Sequence, residues 1–229
     1  FATLPAHSQF TSDIDIYSGA PSATDLPNVL IVLDNTANWS QNFVAEKKAL
    51  KSTFGSLAED RFRLGMMMFS DGTDGGFVWA AIRKLDSAYR FSMQALVESL
   101  ENEPMSNGKG HKANNAAVGL AMAEAYYYFT GRPPVAGKST AKVDFSNNRN
   151  AKTNEAEQAI YALPGNALDS LSDNSYNNAG FRGTGCAPNY VIFISNGKPS
   201  SNEDGTAKLA LASASGKSPG SLTSIPISP

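Results

Sequence analysis

The arrangement in this chain best suited to chemistry is an acidic side chain set directly after an unbroken apolar run, with short oxygen-bearing residues behind it. It occurs at residues 27–40, PNVLIVLDNTANWS. Asp34 ends the run from Val29 to Leu33, and Asn35, Thr36, Ala37, Asn38 and Ser40 follow. Carboxylate, hydroxyl and amide oxygens are hard donors that suit Mg²⁺ or Ca²⁺. The run is β-branched or Leu throughout, with no polar alternation. It reads as a strand covered on both faces, the habit of parallel sheets. Open α/β sheets bind ligands beyond the carboxyl ends of such strands, so Asp34 marks a fold and a candidate site together.

Other chemistry-bearing residues are sparser. Asp71 and Asp74 in SDGTDGG fit no complete EF-hand spacing, and turn chemistry accounts for them. Glu203 and Asp204 read as a solvated acidic loop that could lend charge to a site near Asn196. His7 and His111 stand far apart among polar or small residues, and with one Cys they make no zinc pattern. GKGHK at 108–112 lacks the P-loop spacing. Cys186 is the only cysteine, so it forms no disulfide within these residues. It is either a buried small hydrophobe or the partner of a cysteine outside this chain. A Cys186–His111 nucleophilic pair has no further support. Tyr126, Tyr127 and Tyr128 are consecutive and cannot share one helix face, so at least one is expected in the core.

The elements that must position Asp34 are legible around it. Phe43, Leu50 and Phe54 recur at helical spacing, Lys47 falls on the same face and is expected to reach past them to solvent, and Gly55 offers a C-cap. RFRLGMMMFS at 61–70 and FVWAAIRKL at 77–85 read as strands close enough to form an antiparallel hairpin. Met93, Leu96, Val97 and Leu100 keep helical spacing. So do Val118, Met122, Ala125 and Phe129, before Gly131 and Pro133-Pro134 stop that helix. YVIFIS at 190–195 reads as a further buried strand, and a short helix is expected over 206–214. Residues 1–26 form an extension with a weak edge-strand pattern at Ile14 and Ile16. Residues 135–187 are a long polar insertion with one helical stretch, Glu155 to Leu163, and SLTSIPISP begins a last strand. Strands alternating with helices predict one α/β domain over 27–229, a doubly wound and mostly parallel sheet with an antiparallel edge hairpin and helices on both faces.

Composition narrows the partners. A formal net charge of -2 over 229 residues argues against nucleic acid or an anionic membrane held by bulk electrostatics. No apolar run approaches the roughly 20 residues of a membrane helix. No signal-peptide pattern opens the chain, and Phe1 is not a Met, so an upstream signal peptide is expected to have been removed.

Two segments resemble von Willebrand factor A domains. PNVLIVLDNTANWS is similar to their first metal-site loop, Asp-x-Ser-x-Ser after a buried strand, and CAPNYVIFISNGKPSSNED at 186–204 to their later strand and loop, which usually ends Thr-Asp-Gly. The Cys-x-x-Asn-Tyr-Val-Ile lead-in and AEAYYYFTG at 123–131 resemble the PilY/PilC-type adhesins of type IV pilus tips. The resemblance implies a metal site with Asp34, Thr36 and Asn38 in the Asp-x-Ser-x-Ser places. Asn115 or Ala116 stands where a Thr is usual, and Asn196 where an Asp is usual. Such a cage keeps Asp34 as its only carboxylate and predicts weak Mg²⁺ or Ca²⁺ binding or none, its loops held by Asn amide hydrogen bonds.

The implied function is a non-enzymatic adhesion or assembly module. It would sit at the cell surface on a pilus tip and bind a host or surface ligand through the strand-end loops and the insertion. An alternative is a purely structural module that primes or caps the pilus by contacting minor pilins. A hydrolase reading lacks the Gly-x-Ser-x-Gly elbow and a base. A following β-propeller is usual in the family, and its properties do not transfer to these residues.

Overall fold

The structure, a computed structural model, describes residues 26–36, 40–69, 75–103, 111–113, 117–135, 167, 175–177, 187–195 and 204–218. In chain order the elements are β1 (Asn28–Leu33), α1 (Ser40–Ser56), β2 (Arg63–Phe69), β3 (Gly76–Lys84), α2 (Ser87–Ser99), α3 (Val118–Thr130), β4 (Asn189–Ile194) and α4 (Asp204–Ser215). The sheet runs β3-β2-β1-β4. β1 is parallel to both β2 and β4, and β3 is antiparallel to β2. This is the mixed α/β sheet expected from sequence, with the hairpin at one edge.

The unbroken apolar run of β1 is explained by its place inside the sheet. Leu30, Val32 and Leu33 are fully buried. Val29 and Ile31 join Leu64 and Ile194 on the face under α1, where a mostly apolar cavity of about 350 Å³ remains beside Leu50 and Phe54. The opposite face carries α3. A Cβ on Gly76 of β3 would meet both the Met67 sulfur and the Ala121 methyl, which places α3 on the Met67 side. α4 packs on α3, where the Tyr127 hydroxyl donates to the Ala210 carbonyl at 2.9 Å. α2 packs on α1 through the Gln94 amide, which donates to the Lys51 carbonyl at 3.1 Å.

Pairing of β2 with β3 shifts register between Leu64 and Met66 and again between Met66 and Met67. A register shift in an antiparallel pair leaves backbone groups without ladder partners. Two tyrosines bond to backbone groups beside these shifts. Tyr128 of α3 accepts the Ile82 N–H at 2.7 Å, and Tyr89 of α2 donates to the Ala81 carbonyl at 2.7 Å. Gly65 permits the close strand approach there, since a Cβ would lie 3.0 Å from both the Ala80 oxygen and the Ile82 nitrogen.

Several local expectations hold. Phe43, Leu50 and Phe54 all face the core. Gly131 ends α3 in the left-handed region at φ 66°, and its N–H returns to the Tyr127 and Tyr128 carbonyls. Tyr128 is fully buried, while Tyr126 is only partly so.

Others are corrected. Gly55 is no cap; it lies inside α1, where the Gln94 side chain would meet an added Cβ at 2.6 Å. Lys47 does not end in solvent, because its ammonium donates to the Leu100 carbonyl at the end of α2. Burial lowers the Lys47 pKa, against the opposing pull of Glu101 and Glu98. On α3, Val118, Met122 and Phe129 are only partly buried. The deeper stripe is Ala121, Glu124, Ala125 and Tyr128, because α3 lies between the sheet and α4. β4 was expected to be buried, yet Tyr190 and Ile192 are each 48% exposed and Val191 38%. Among the described residues β4 pairs only with β1. The edge strand at Ile14 and Ile16, the Glu155–Leu163 helix, SLTSIPISP and most of the 135–187 insertion lie outside the described residues.

Candidate functional site at the strand ends

Asp34 is the first residue past β1, and its backbone N–H donates to the Ile194 carbonyl at 2.9 Å. Leu33 pairs with both Met68 and Ile194, so the parallel register brings the C-terminal ends of β1, β2 and β4 to one level. A residue placed just after β1 therefore meets residues placed just after β4. The Asp34 carboxylate is 1% exposed. Its Oδ1 accepts the Thr36 N–H at 3.0 Å, an Asx-type turn, and its Oδ2 accepts the Ser195 hydroxyl at 2.7 Å. Burying a carboxylate demands such partners, and Asp34 makes no ion pair among the described residues.

Asn35 ties the site to its neighbours. Its side-chain oxygen accepts the Phe69 N–H at 2.8 Å, and its amide donates to the carbonyls of Phe69 at 3.2 Å and His111 at 2.7 Å. Its own carbonyl accepts the Ala113 N–H at 2.7 Å. Thr36 then pairs with Ala113 in an isolated parallel bridge. Four chain segments thus converge: the turn after β1, the end of β2, residues 111–113 and Ser195 after β4.

His111 belongs to the scaffold of this end of the sheet. It is fully buried, not among small or polar residues as expected, with its ring edge-on to Trp79 at 5.1 Å. Its Nδ1 accepts the Glu101 N–H at 2.8 Å, which fixes the imidazole in its neutral form.

Of the site residues read from sequence, Asp34 and Thr36 are brought together. Asn38, Asn115, Ala116, Asn196 and Cys186 lie outside the described residues, as do Asp71, Asp74, His7 and Glu203. Two residues were missed, Ser195 and Asn35. The signal for Ser195 is that it follows the β4 apolar run as Asp34 follows that of β1, and parallel strands in register bring such positions together.

The donor set tests the implied metal. Among the described residues the site offers one carboxylate, whose two oxygens already accept hydrogen bonds, and the hydroxyls of Thr36 and Ser195. No cluster of three or more His, Cys, Asp or Glu able to hold a metal occurs among the described residues. By themselves these described groups set one negative charge against the cost of stripping water from Mg²⁺; the positions of Asn38, Asn115 and Asn196 lie outside the described residues. What the site does is tie the ends of β1, β2 and β4 together by buried hydrogen bonds, with Ser195 partly exposed at its edge. No helix among the described residues is long and apolar enough to cross a membrane.

The fold and the site define an α/β domain with a hydrogen-bonded carboxylate buried where parallel strands end. No protein-family model matches the chain, and no curated protein matches it.

Proposed function

We propose that this chain is a non-enzymatic adhesion or assembly module, a von Willebrand factor A-type domain of a PilY/PilC-like protein at the tip of a type IV pilus. It binds through the loops at the C-terminal ends of its strands, with the 135–187 insertion contributing to the surface. The observation that carries this reading is the Asp34 carboxylate, the residue of the family's metal loop. It lies at the C-terminal end of β1 with Thr36 and Ser195 on its two oxygens. The parallel β2-β1-β4 order and helices on both faces support it. With hydrogen bonds in the place of a metal, the partner is engaged directly by polar groups of the strand-end loops.

A purely structural reading, a module that primes or caps the pilus through minor pilins, draws on a different observation. The half-exposed Tyr190, Val191 and Ile192 of β4 offer an apolar sheet edge for strand addition. Binding of the chain to purified minor pilins and to host-cell surfaces separates the two. Strand-end binding predicts at least tenfold weaker retention in Asp34→Ala. The edge reading predicts retention of minor pilins that survives Asp34→Ala and is lost in Val191→Lys. Retention by neither target overturns both.

A further inference from the structure

Glu124 is a second buried carboxylate, 1% exposed, and the strand-end site makes no use of it. It sits inside α3, where an alanine or leucine would serve the helix as well. Its Oε1 accepts the Tyr176 hydroxyl at 2.5 Å and the Val135 N–H at 3.0 Å, and its Oε2 lies 3.2 Å from the same Val135 nitrogen. Val135 is the first residue of the insertion, and Tyr176 belongs to the short described stretch 175–177 inside it.

The two points are joined in other ways as well. The Tyr176 N–H donates to the Arg132 carbonyl at 3.0 Å, and the Asn177 N–H to the Ala167 carbonyl at 2.8 Å. The Tyr176 ring stands edge-on to Tyr128 at 5.3 Å, and Tyr128 itself holds the Ile82 N–H of β3. A route of contacts therefore runs from the sheet through α3 to Val135 and Tyr176. The entropy of joining chain ends rises only slowly with the length between them. A few well-made bonds to one buried charge can therefore fasten a long connection. A charge-assisted bond is stronger than a neutral one, which gives a carboxylate an advantage over an amide at this point.

We infer that Glu124 is a clasp between two described points of the chain: one carboxylate holds Val135 and Tyr176 together, so that their amides exchange as a single unit, separately from the sheet. Glu124 is a positioning residue, and the clasp does not depend on what the strand-end loops bind.

Amide hydrogen exchange on the full chain tests it, comparing wild type, Glu124→Gln and Tyr176→Phe. The phenylalanine keeps the ring on Tyr128 and removes only the hydroxyl, so it is the variant least able to disturb the fold. The expected result is that each substitution speeds exchange at Val135, Tyr176 and Asn177 together by at least tenfold, while Ile31 and Met67 in the sheet are unchanged. Unchanged exchange at the three amides, a response at Val135 without one at Tyr176, or equal acceleration in the sheet overturns the inference. If the insertion is part of the binding surface, as proposed above, Tyr176→Phe also weakens retention of the pilus partner. Accelerated exchange with undiminished retention supports the clasp and removes the insertion from that surface.

Discussion

Asp34 and Glu124 are equally buried, at 1% exposure each, and are held by unlike partners. Asp34 is held by the N–H of Thr36, two residues on, and by the small hydroxyl of Ser195, which is only partly buried. Glu124 is held by Tyr176, itself 4% exposed and packed against Tyr128, and by the backbone of Val135. A serine hydroxyl can turn to another acceptor by rotating one bond. Tyr176 cannot leave Glu124 without giving up its aromatic contact. Equal burial therefore hides a difference in how freely the partners of the two carboxylates can move. Asp34 stands where parallel strands end and ligands bind, while Glu124 stands inside a helix and faces its own chain.

The sharpest way to break this comparison is to remove both carboxylates in turn. Glu124→Ala orphans the buried Tyr176 hydroxyl and removes the acceptor of the N–H of the exposed Val135, and is expected to destabilise the protein by about 3 kcal/mol. Asp34→Ala, which strips the Thr36 N–H but leaves the Ser195 hydroxyl able to turn elsewhere, should cost less, about 1 kcal/mol. Denaturant midpoints read both, and equal costs would erase the distinction.

Alkaline titration sharpens it further. Burial, then the Glu124 charge and hydrogen bond and the nearby Tyr128, hold the Tyr176 phenol well above its ordinary value of 10.0. A pKa raised in the folded state favours the protonated form there. The stabilising contribution is thus complete below about pH 10 and is lost as the pH climbs from there towards the raised native value. Tyr127 is shifted the same way, by burial and then Glu124, with Arg132 opposing. Tyr176→Phe should therefore flatten only part of the stability loss above pH 10. An unaltered pH profile would place the coupling elsewhere.

At the strand ends, Asn35→Ala is expected to cost about 2 kcal/mol, because it strips partners from the Phe69 N–H and the His111 carbonyl. Thermal unfolding checks this, and a cost below that of Asp34→Ala would mean that Asn35 does not organise the site. The smallest effect is expected away from both carboxylates. Lys47→Met removes the ammonium from the Leu100 carbonyl at the end of α2 and should cost about 0.5 kcal/mol, read from the same unfolding curves.

Much of the frame around Asp34 was legible because it rests on local pattern. The unbroken β1 run, the β2–β3 hairpin, the Phe43, Leu50 and Phe54 stripe and the Gly131 stop each follow from neighbours in sequence. What escaped depends on residues far apart. Ser195 meets Asp34 only because β1 and β4 run parallel in register. Gly55 reads as a cap until α2 is seen to press Gln94 against it. Tyr89 and Tyr128 were assignable to the core by type, but not to the Ala81 and Ile82 backbone groups they bond to. His111 looked polar by its neighbours in sequence and is instead packed against Trp79. Glu124 was read only as part of AEAYYYFTG, and its partners gave no signal, because Val135 is eleven positions away and Tyr176 is fifty-two.

We propose that the strand-end site, in which Asp34 accepts hydrogen bonds from Thr36 and Ser195, is held by those bonds and not by a metal. Calorimetric titration of the full chain with Mg²⁺, Ca²⁺ and Mn²⁺, alongside Asp34→Ala, tests this most directly. The account predicts no saturable binding tighter than about 1 mM for any of the three ions, and the same flat response from the variant. Tight binding by the wild type that disappears in Asp34→Ala would contradict it.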